Sequence, residues 1–287
     1  MDLSIKSCFQ LNNGVMMPVL GLGVFKSPSG DTTREAVKTA LSIGYRMIDT
    51  ARAYGNERSV GEGIAQSGIP REEIFVTTKL WKTDFADPRK GLTDSLKRLK
   101  LDYVDLFLLH WPFKGFGETW IKLEQLQKEG LCRAIGVSNF RIHHLEELKK
   151  GGISVIPQVN QMEIHPVNTE EDLCNYCRRN HIQMEAYSPL GGEGRLLVDD
   201  PRLVGMREYY KRTPAQIILR WNLQRGIVVI PKSVHEERIR ENAGLFDFDL
   251  SQGDLATISD MNANDRRNYD PDAIDKRPAW MEPKFTD

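Results

Sequence analysis

The chain of 287 residues is 40% hydrophobic and 28% charged, with a formal net charge of −1. So even a balance gives no electrostatic footprint for nucleic acid or an anionic membrane surface, and no apolar run approaches the length that spans a bilayer. Four scattered cysteines, Cys8, Cys132, Cys174 and Cys177, are too few for a disulfide framework; with no signal-peptide core at the start, they predict a reducing, cytoplasmic setting.

Asn12 to Gly14, between two apolar runs, predicts a hairpin over about 8–17. Val19 to Gly23 reads as a weak first strand. Thr32 and Glu35 have capping-box spacing before a helix that buries Ala36, Val37, Ala40 and Leu41 and ends at Gly44. A second strand runs to Asp49, and a helix follows from about Glu57 to Gln66. The third strand, Ile74 to Lys79, is followed by a helix opening at Asp87-Pro88, with Leu92, Leu96 and Leu99 at helical spacing. The fourth strand ends at His110, and its helix carries Trp120, Leu123 and Leu126. A fifth strand, Ala134 to Val137, ends at Ser138-Asn139 and precedes a helix with Leu145 and Leu148. The sixth, Val155 to Val159, leads to Gln161 and to a helix opening at Thr169-x-x-Asp172. The seventh, Ile182 to Ala186, ends at Tyr187-Ser188-Pro189, before a loop with Gly191, Gly192 and Gly194. Thr213-Pro214-Ala215-Gln216 opens another helix as a capping box. The eighth strand, Ile227 to Ile230, precedes a helix capped by Ser233-x-x-Glu236. Ser251-x-x-Asp254 opens one helix outside the repeat, and the polar tail, about 264–287, reads as an extended arm.

Eight strand–helix units predict a single-domain (β/α)8 TIM barrel over 1–287, with an N-terminal β-hairpin and an extra C-terminal helix and tail. A doubly wound sheet is the rival, but Gly21-x-Gly23 is a partial glycine fingerprint, with Lys26 where the third glycine belongs. In a barrel the strand ends converge on one face. Asp49, Lys79 and His110 close the second, third and fourth strands, and Tyr54 follows Asp49 by five residues. An acid, a base, an imidazole and a phenol at one rim make a proton-transfer site. Asn139, Gln161, Tyr187 and Lys232, from the later ends, suit a large polar ligand. Cys174-x-x-Cys177 has no second pair and lies on a helix, so packing is the simpler reading, and no metal is expected.

Seven ordered motifs carry a family resemblance. They are Gly44-Tyr45-Arg46-x-Ile48-Asp49-Thr50-Ala51, Tyr54-Gly55-Asn56-Glu57, Val76-Thr77-Thr78-Lys79-Leu80-Trp81, Leu109-His110-Trp111-Pro112, Gly136-Val137-Ser138-Asn139-Phe140, Gln158-Val159-Asn160-Gln161 and Ile230-Pro231-Lys232-Ser233. Spanning about Leu11 to Asn262, they resemble the aldo-keto reductase family, and within it the small, short-looped reductases of microbes and protozoa, including prostaglandin F synthases. The resemblance implies reduction of aldehydes and ketones by hydride from NADPH, with Tyr54 as general acid. Lys79, paired with Asp49, would ease release of its proton, and His110 would orient the carbonyl. It also implies that Ser138, Asn139 and Gln161 clamp the nicotinamide carboxamide and that Tyr187 stacks on the ring. Ser188, Leu190 and the glycine loop would approach the pyrophosphate. Lys232, Ser233 and Arg238 would hold a 2′-phosphate, with Glu241 and Asn242 at the adenosine end.

Phe25, Trp81 and Trp111 would line a fairly open pocket. Phe25 stands where many relatives carry tryptophan, Met47 where histidine is frequent, and the loop from Pro112 to Glu118 is short. Broad carbonyl specificity follows, with prostaglandin H2 reduction conceivable, and a monomer is the family default. A retired, cofactor-binding relative is the alternative reading, against which the four intact catalytic residues count. A metal-dependent barrel hydrolase would need a His-x-His on the first strand, which is absent.

Overall fold

The computed structural model describes residues 3–192, 200–277 and 282–283. Strands β1 (Cys8–Gln10) and β2 (Met16–Pro18) form an antiparallel hairpin, with Gly14 at φ 86° in its turn. A positive φ there costs glycine little and would strain any other residue.

Eight further strands follow: β3 (Leu22–Gly23), β4 (Met47–Asp49), β5 (Phe75–Leu80), β6 (Val104–Leu109), β7 (Cys132–Ser138), β8 (Val159–Glu163), β9 (Gln183–Tyr187) and β10 (Val228–Val229). They pair in parallel, in sequence order. Parallel bridges Leu20–Val229 and Gly23–Lys232 join the first strand to the last, so the sheet closes into a barrel. Gly21 N donates to Val229 O at 2.9 Å and Val229 N to Val19 O at 3.1 Å across this seam. A Cβ on Gly23 would stand 2.8 Å from the Ile230 carbonyl oxygen, so the seam admits only glycine at that distance.

Alternation sorts the strand residues into two layers. Outward Ile48, Val76, Phe107, Val137, Met162 and Ala186 join the large core beneath the helices. These are α1 (Asp31–Ile43), α2 (Glu57–Gln66), α3 (Pro88–Leu99), α4 (Phe116–Lys128), α5 (Ile142–Lys150), α6 (Glu171–Arg179), α7 (Pro201–Tyr210), α8 (Pro214–Gln224), α9 (Glu236–Ala243) and α10 (Gln252–Ser259). Inward Met47, Phe75, Leu106 and Val228 pack with Leu11 and Met17 of the hairpin. The hairpin thus seals the mouth where the strands begin, leaving the other mouth for the site.

The helix caps divide. Asp87, Thr213 and Ser251 each accept from the expected backbone N–H, and Thr213 and Gln216 form a full capping box. The box expected at Thr32/Glu35 does not form, because α1 begins two residues earlier, after Gly30. At α9 the cap is His235, and Ser233 Oγ accepts from His235 N at 3.1 Å. Glu170 caps α6, in place of Thr169.

The sixth barrel strand lies four residues beyond its expected start. Ser154 and Val155 give their N–H groups to Glu124 Oε1 on α4, and the chain joins the sheet at Gln158, whose N–H donates to the Ile135 carbonyl, just before β8 begins at Val159. Periodicity does not predict helix α7. It opens at Asp200-Pro201, with Asp200 accepting from Arg202 N, but buries only Leu203 and Met206, too few for a periodic signal. The tail is not a free arm. Asn268 N donates to Glu163 Oε2, Pro271–Lys276 form a short 3₁₀ segment, and Ile274 is buried beside Trp81 and Phe113.

Candidate active site

Asp49, Lys79 and Gln161 point into the barrel from β4, β5 and β8, and all three are buried. Lys79 Nζ donates to Asp49 Oδ1 at 2.6 Å, to the Thr50 carbonyl at 2.9 Å and to Tyr54 Oη at 3.3 Å. Three donors are all an ammonium has. Tyr54 reaches the cluster because the chain leaves β4 through a single 3₁₀ turn, Arg52–Tyr54, stopped by Gly55 at φ 63°. Buried Asn56 pins that turn. Its Nδ2 donates to the Val24 and Ser27 carbonyls at 2.9 and 3.1 Å, and its Oδ1 accepts from Thr50 Oγ1 at 2.8 Å.

His110 follows β6, its N–H on the Leu80 carbonyl. Its ring sits edge-on to Tyr54 and Trp81, with centroids 5.6 and 5.3 Å away. Burial, helped by the Lys79 charge, pushes its pKa well below the usual imidazole range, so the ring is neutral. The Tyr54 phenol is pushed well above its usual range by burial, then by Asp49 and Glu185.

The residues expected to hold a nicotinamide cofactor are partly brought together. Asn139, at φ 65°, donates from Nδ2 to the His110 carbonyl and Ser138 Oγ, both at 3.1 Å, and accepts from Tyr187 Oη at 2.7 Å. Ser138 and Gln161 are cross-strand partners. Gln161 Nε2 lies between Asp49 Oδ2 and Glu185 Oε2, 2.8 Å from each. After β9, Ser188, Gly191 and Gly192 all have positive φ, and Leu190 packs on the core; Gly194 lies outside the described residues. Lys232 and Arg238 are exposed, and neither enters an ion pair among the described residues. Ser233 and Asn242 are buried, while Glu241 Oε1 accepts from Thr213 Oγ1 at 2.6 Å, which ties it to α8.

Phe25, half exposed, stacks at 4.9 Å from Tyr54. Trp81 packs edge-on to Phe113 at 5.1 Å, with Trp111 against the same cluster. Sequence reasoning missed Phe113 and Arg277. The Arg277 guanidinium lies 5.0 Å from the Trp81 ring and 4.6 Å from that of Phe113. It also missed the roles of Glu185, which sits in a strand with no motif of its own, and of Asn56, which was quoted only as part of Tyr54-Gly55-Asn56-Glu57.

Cys174 and Cys177 are buried free thiols, and burial pushes them up to about 11 and about 12, as packing residues behave. His143, His144 and Asp272 bring ligand atoms within 4.8 Å of one another. His144 Nδ1, however, accepts from Arg141 N at 3.1 Å, so its Nε2 carries the proton and has no lone pair for a metal.

A model of the aldo/keto reductase family matches residues 19–263. The chain belongs to the aldo/keto reductase family. It is 49% identical over 277 residues to the glyoxal reductase of Bacillus subtilis, covering 96% of this chain and 99% of that one. It is 44% identical to the methylglyoxal reductase DkgA of Escherichia coli, over 92% of this chain and 96% of the relative. A crystal structure of an aldo-keto reductase from a Medee basin deep-sea metagenome library superposes with a TM-score of 0.89 at 44% identity, covering 92% and 98% of the two chains. As a family member the protein is an oxidoreductase of aldehydes and ketones. No described helix is long and apolar enough to cross a membrane.

Proposed function

We propose that this aldo-keto reductase reduces small aldehydes and ketones with NADPH and that Tyr54 is its general acid. One observation carries the reading: the Tyr54 hydroxyl lies 3.3 Å from an ammonium locked on Asp49, with a neutral imidazole edge-on to the same ring. The donor set fits a phosphorylated dinucleotide. Lys232 and Arg238 are exposed cations flanking the N-terminus of α9, where an adenosine 2′-phosphate gains from charge and helix dipole together. The run of positive φ at Ser188, Gly191 and Gly192 lets backbone approach a pyrophosphate closely.

The bound cofactor supplies the hydride that adds to the carbonyl carbon. The Tyr54 hydroxyl gives its proton to the carbonyl oxygen as negative charge develops there. Lys79 then stabilises the phenolate left behind, because the charge forms beside its third donor. His110, neutral, donates one hydrogen bond that orients the carbonyl without adding a second cation. Phe25, Trp81 and Trp111 offer apolar, loosely closed walls, which suit small carbonyls of several kinds. The B. subtilis and E. coli relatives, named for glyoxal and methylglyoxal, support α-dicarbonyls as the first class to try. A Trypanosoma cruzi prostaglandin H2 reductase, 44% identical, keeps the endoperoxide in the panel.

The test is NADPH consumption against α-ketoaldehydes, aromatic aldehydes, quinones and prostaglandin H2. Silence across the panel sinks the reading. Tyr54→Phe should lower kcat by at least about two orders of magnitude while NADPH still quenches protein fluorescence. Near-normal turnover in that variant removes Tyr54 from the role.

A further inference from the structure

Glu185 lies on β9 with its side chain in the barrel, fully buried, on the same face as Tyr187. Its Oε2 accepts from Gln161 Nε2 at 2.8 Å, and that same nitrogen donates to Asp49 Oδ2 at 2.8 Å. One amide thus gives both its protons to two carboxyl groups. Asp49 holds Lys79 with its other oxygen, and Lys79 holds Tyr54. An unbroken chain of hydrogen bonds runs Glu185, Gln161, Asp49, Lys79, Tyr54. Its far end is incomplete, because Glu185 Oε1 is buried with no hydrogen-bond partner among the described residues.

The charges around Glu185 come from identifiable elements. Asp49 faces it from β4, Lys79 from β5 and Tyr54 from the turn after β4. β8 brings Gln161, which is neutral, and β10 brings Val228, which is apolar. Two carboxyl groups therefore share one ammonium in a dry core. An unpaired carboxylate oxygen there is costly to bury, whereas a protonated hydroxyl is much less so.

We propose that Glu185 is a positioning residue for carbonyl reduction: as a neutral acid it fixes Gln161 and leaves the Lys79 ammonium matched by one carboxylate, and on ionising it holds the Tyr54 proton back. The inference rests on the reduction proposed above. Burial and the Asp49 charge raise the Glu185 pKa to about 8, against the Gln161 hydrogen bond and the Lys79 charge. Ionised Glu185 is one of the charges that raises the Tyr54 pKa, so its loss of a proton weakens the general acid.

Two measurements test this. The first is kcat with NADPH and a saturating carbonyl from pH 6 to pH 9. The wild-type rate should fall about tenfold over that range, following the neutral fraction of Glu185, and in Glu185→Gln the fall should shrink to about twofold. Superposable profiles overturn the proposal. The second is the infrared spectrum of the free protein at pH 6.5, independent of turnover. The C=O stretch of a protonated carboxylic acid, absent from Glu185→Gln, supports it; no such difference overturns it. If the variant folds poorly, a pH titration of the wild-type band alone decides the same point. An inactive wild type overturns the carbonyl-reduction reading and the positioning role with it, while the infrared band still decides the charge of Glu185.

Discussion

Lys79 is saturated. Its three donors go to Asp49, Thr50 and Tyr54, and its side chain has no exposure at all. A buried ammonium survives only where its partners are fixed, and here two are the Asp49 carboxylate and the Tyr54 phenol. Lys232 and Arg238 are the opposite case, exposed cations free for a ligand. Arg238→Ala should raise the KM for NADPH about tenfold or more, as loss of one charged contact to a phosphate does, and leave KM for NADH nearly unchanged. Equal effects on the two cofactors would remove Arg238 from the 2′-phosphate site. At this scale the four candidate catalytic side chains were legible in the sequence: Asp49, Lys79 and His110 each close an apolar run where nothing local explains them, and Tyr54 follows Asp49 by five residues. Glu185 was not. In Ile182-Gln183-Met184-Glu185-Ala186 it alternates as any strand residue does, and only the closed barrel turns its face inward onto Gln161.

At the scale of elements, position in the sheet decides what each turn can do. The Arg52–Tyr54 turn is anchored by Asn56, which ties Thr50, Val24 and Ser27 together from a fully buried position. Asn56→Ala leaves the Ser27 carbonyl and the Thr50 hydroxyl without that partner, each costing about 1–3 kcal/mol, while Val24 O keeps the Ser27 N–H. The variant should melt lower, and at a temperature where it is folded its kcat should fall about tenfold or more through a misplaced Tyr54. Unchanged kcat would mean the turn holds itself. Element order and type were readable from periodicity and capping, and their ends were not. Val155 and Ile156 look like strand residues, yet Glu124 on α4 takes the backbone N–H of Ser154 and Val155. The boxes at Thr32 and Ser233 fail for a related reason: a glycine or a neighbouring turn starts the helix elsewhere.

At the scale of the whole molecule, the tail is fastened to the barrel by Glu163. This buried carboxylate accepts from His165 at 3.0 Å, from the backbone N–H of Arg267 and Asn268, both at 2.9 Å, and from Asn268 Nδ2 at 3.0 Å. Burial alone would raise its pKa, but the bonds from His165, Asn268 and Arg267 outweigh it and hold the group at about 2. The folded value lies below the unfolded one of about 4.3, so this stabilisation is full above that range and is lost as pH falls toward about 2. Glu163→Gln should therefore lower Tm by several degrees at pH 7, with the gap narrowing between pH 5 and pH 3. A gap that does not change with pH would show that shape, not charge, fastens the tail. Through Ile274 and Arg277 the same tail backs the Trp81 and Phe113 wall, so the pocket's outer side is built from the end of the chain.

The barrel is a ring closed by a clasp. Its two shortest strands, β3 and β10, flank the bridges Leu20–Val229 and Gly23–Lys232, while β5, β6 and β7 on the far side share longer ladders. Lys232 belongs both to that clasp and to the proposed phosphate site. A nucleotide held there would grip the ring at its closing seam, so loading the enzyme and locking its circumference become one event.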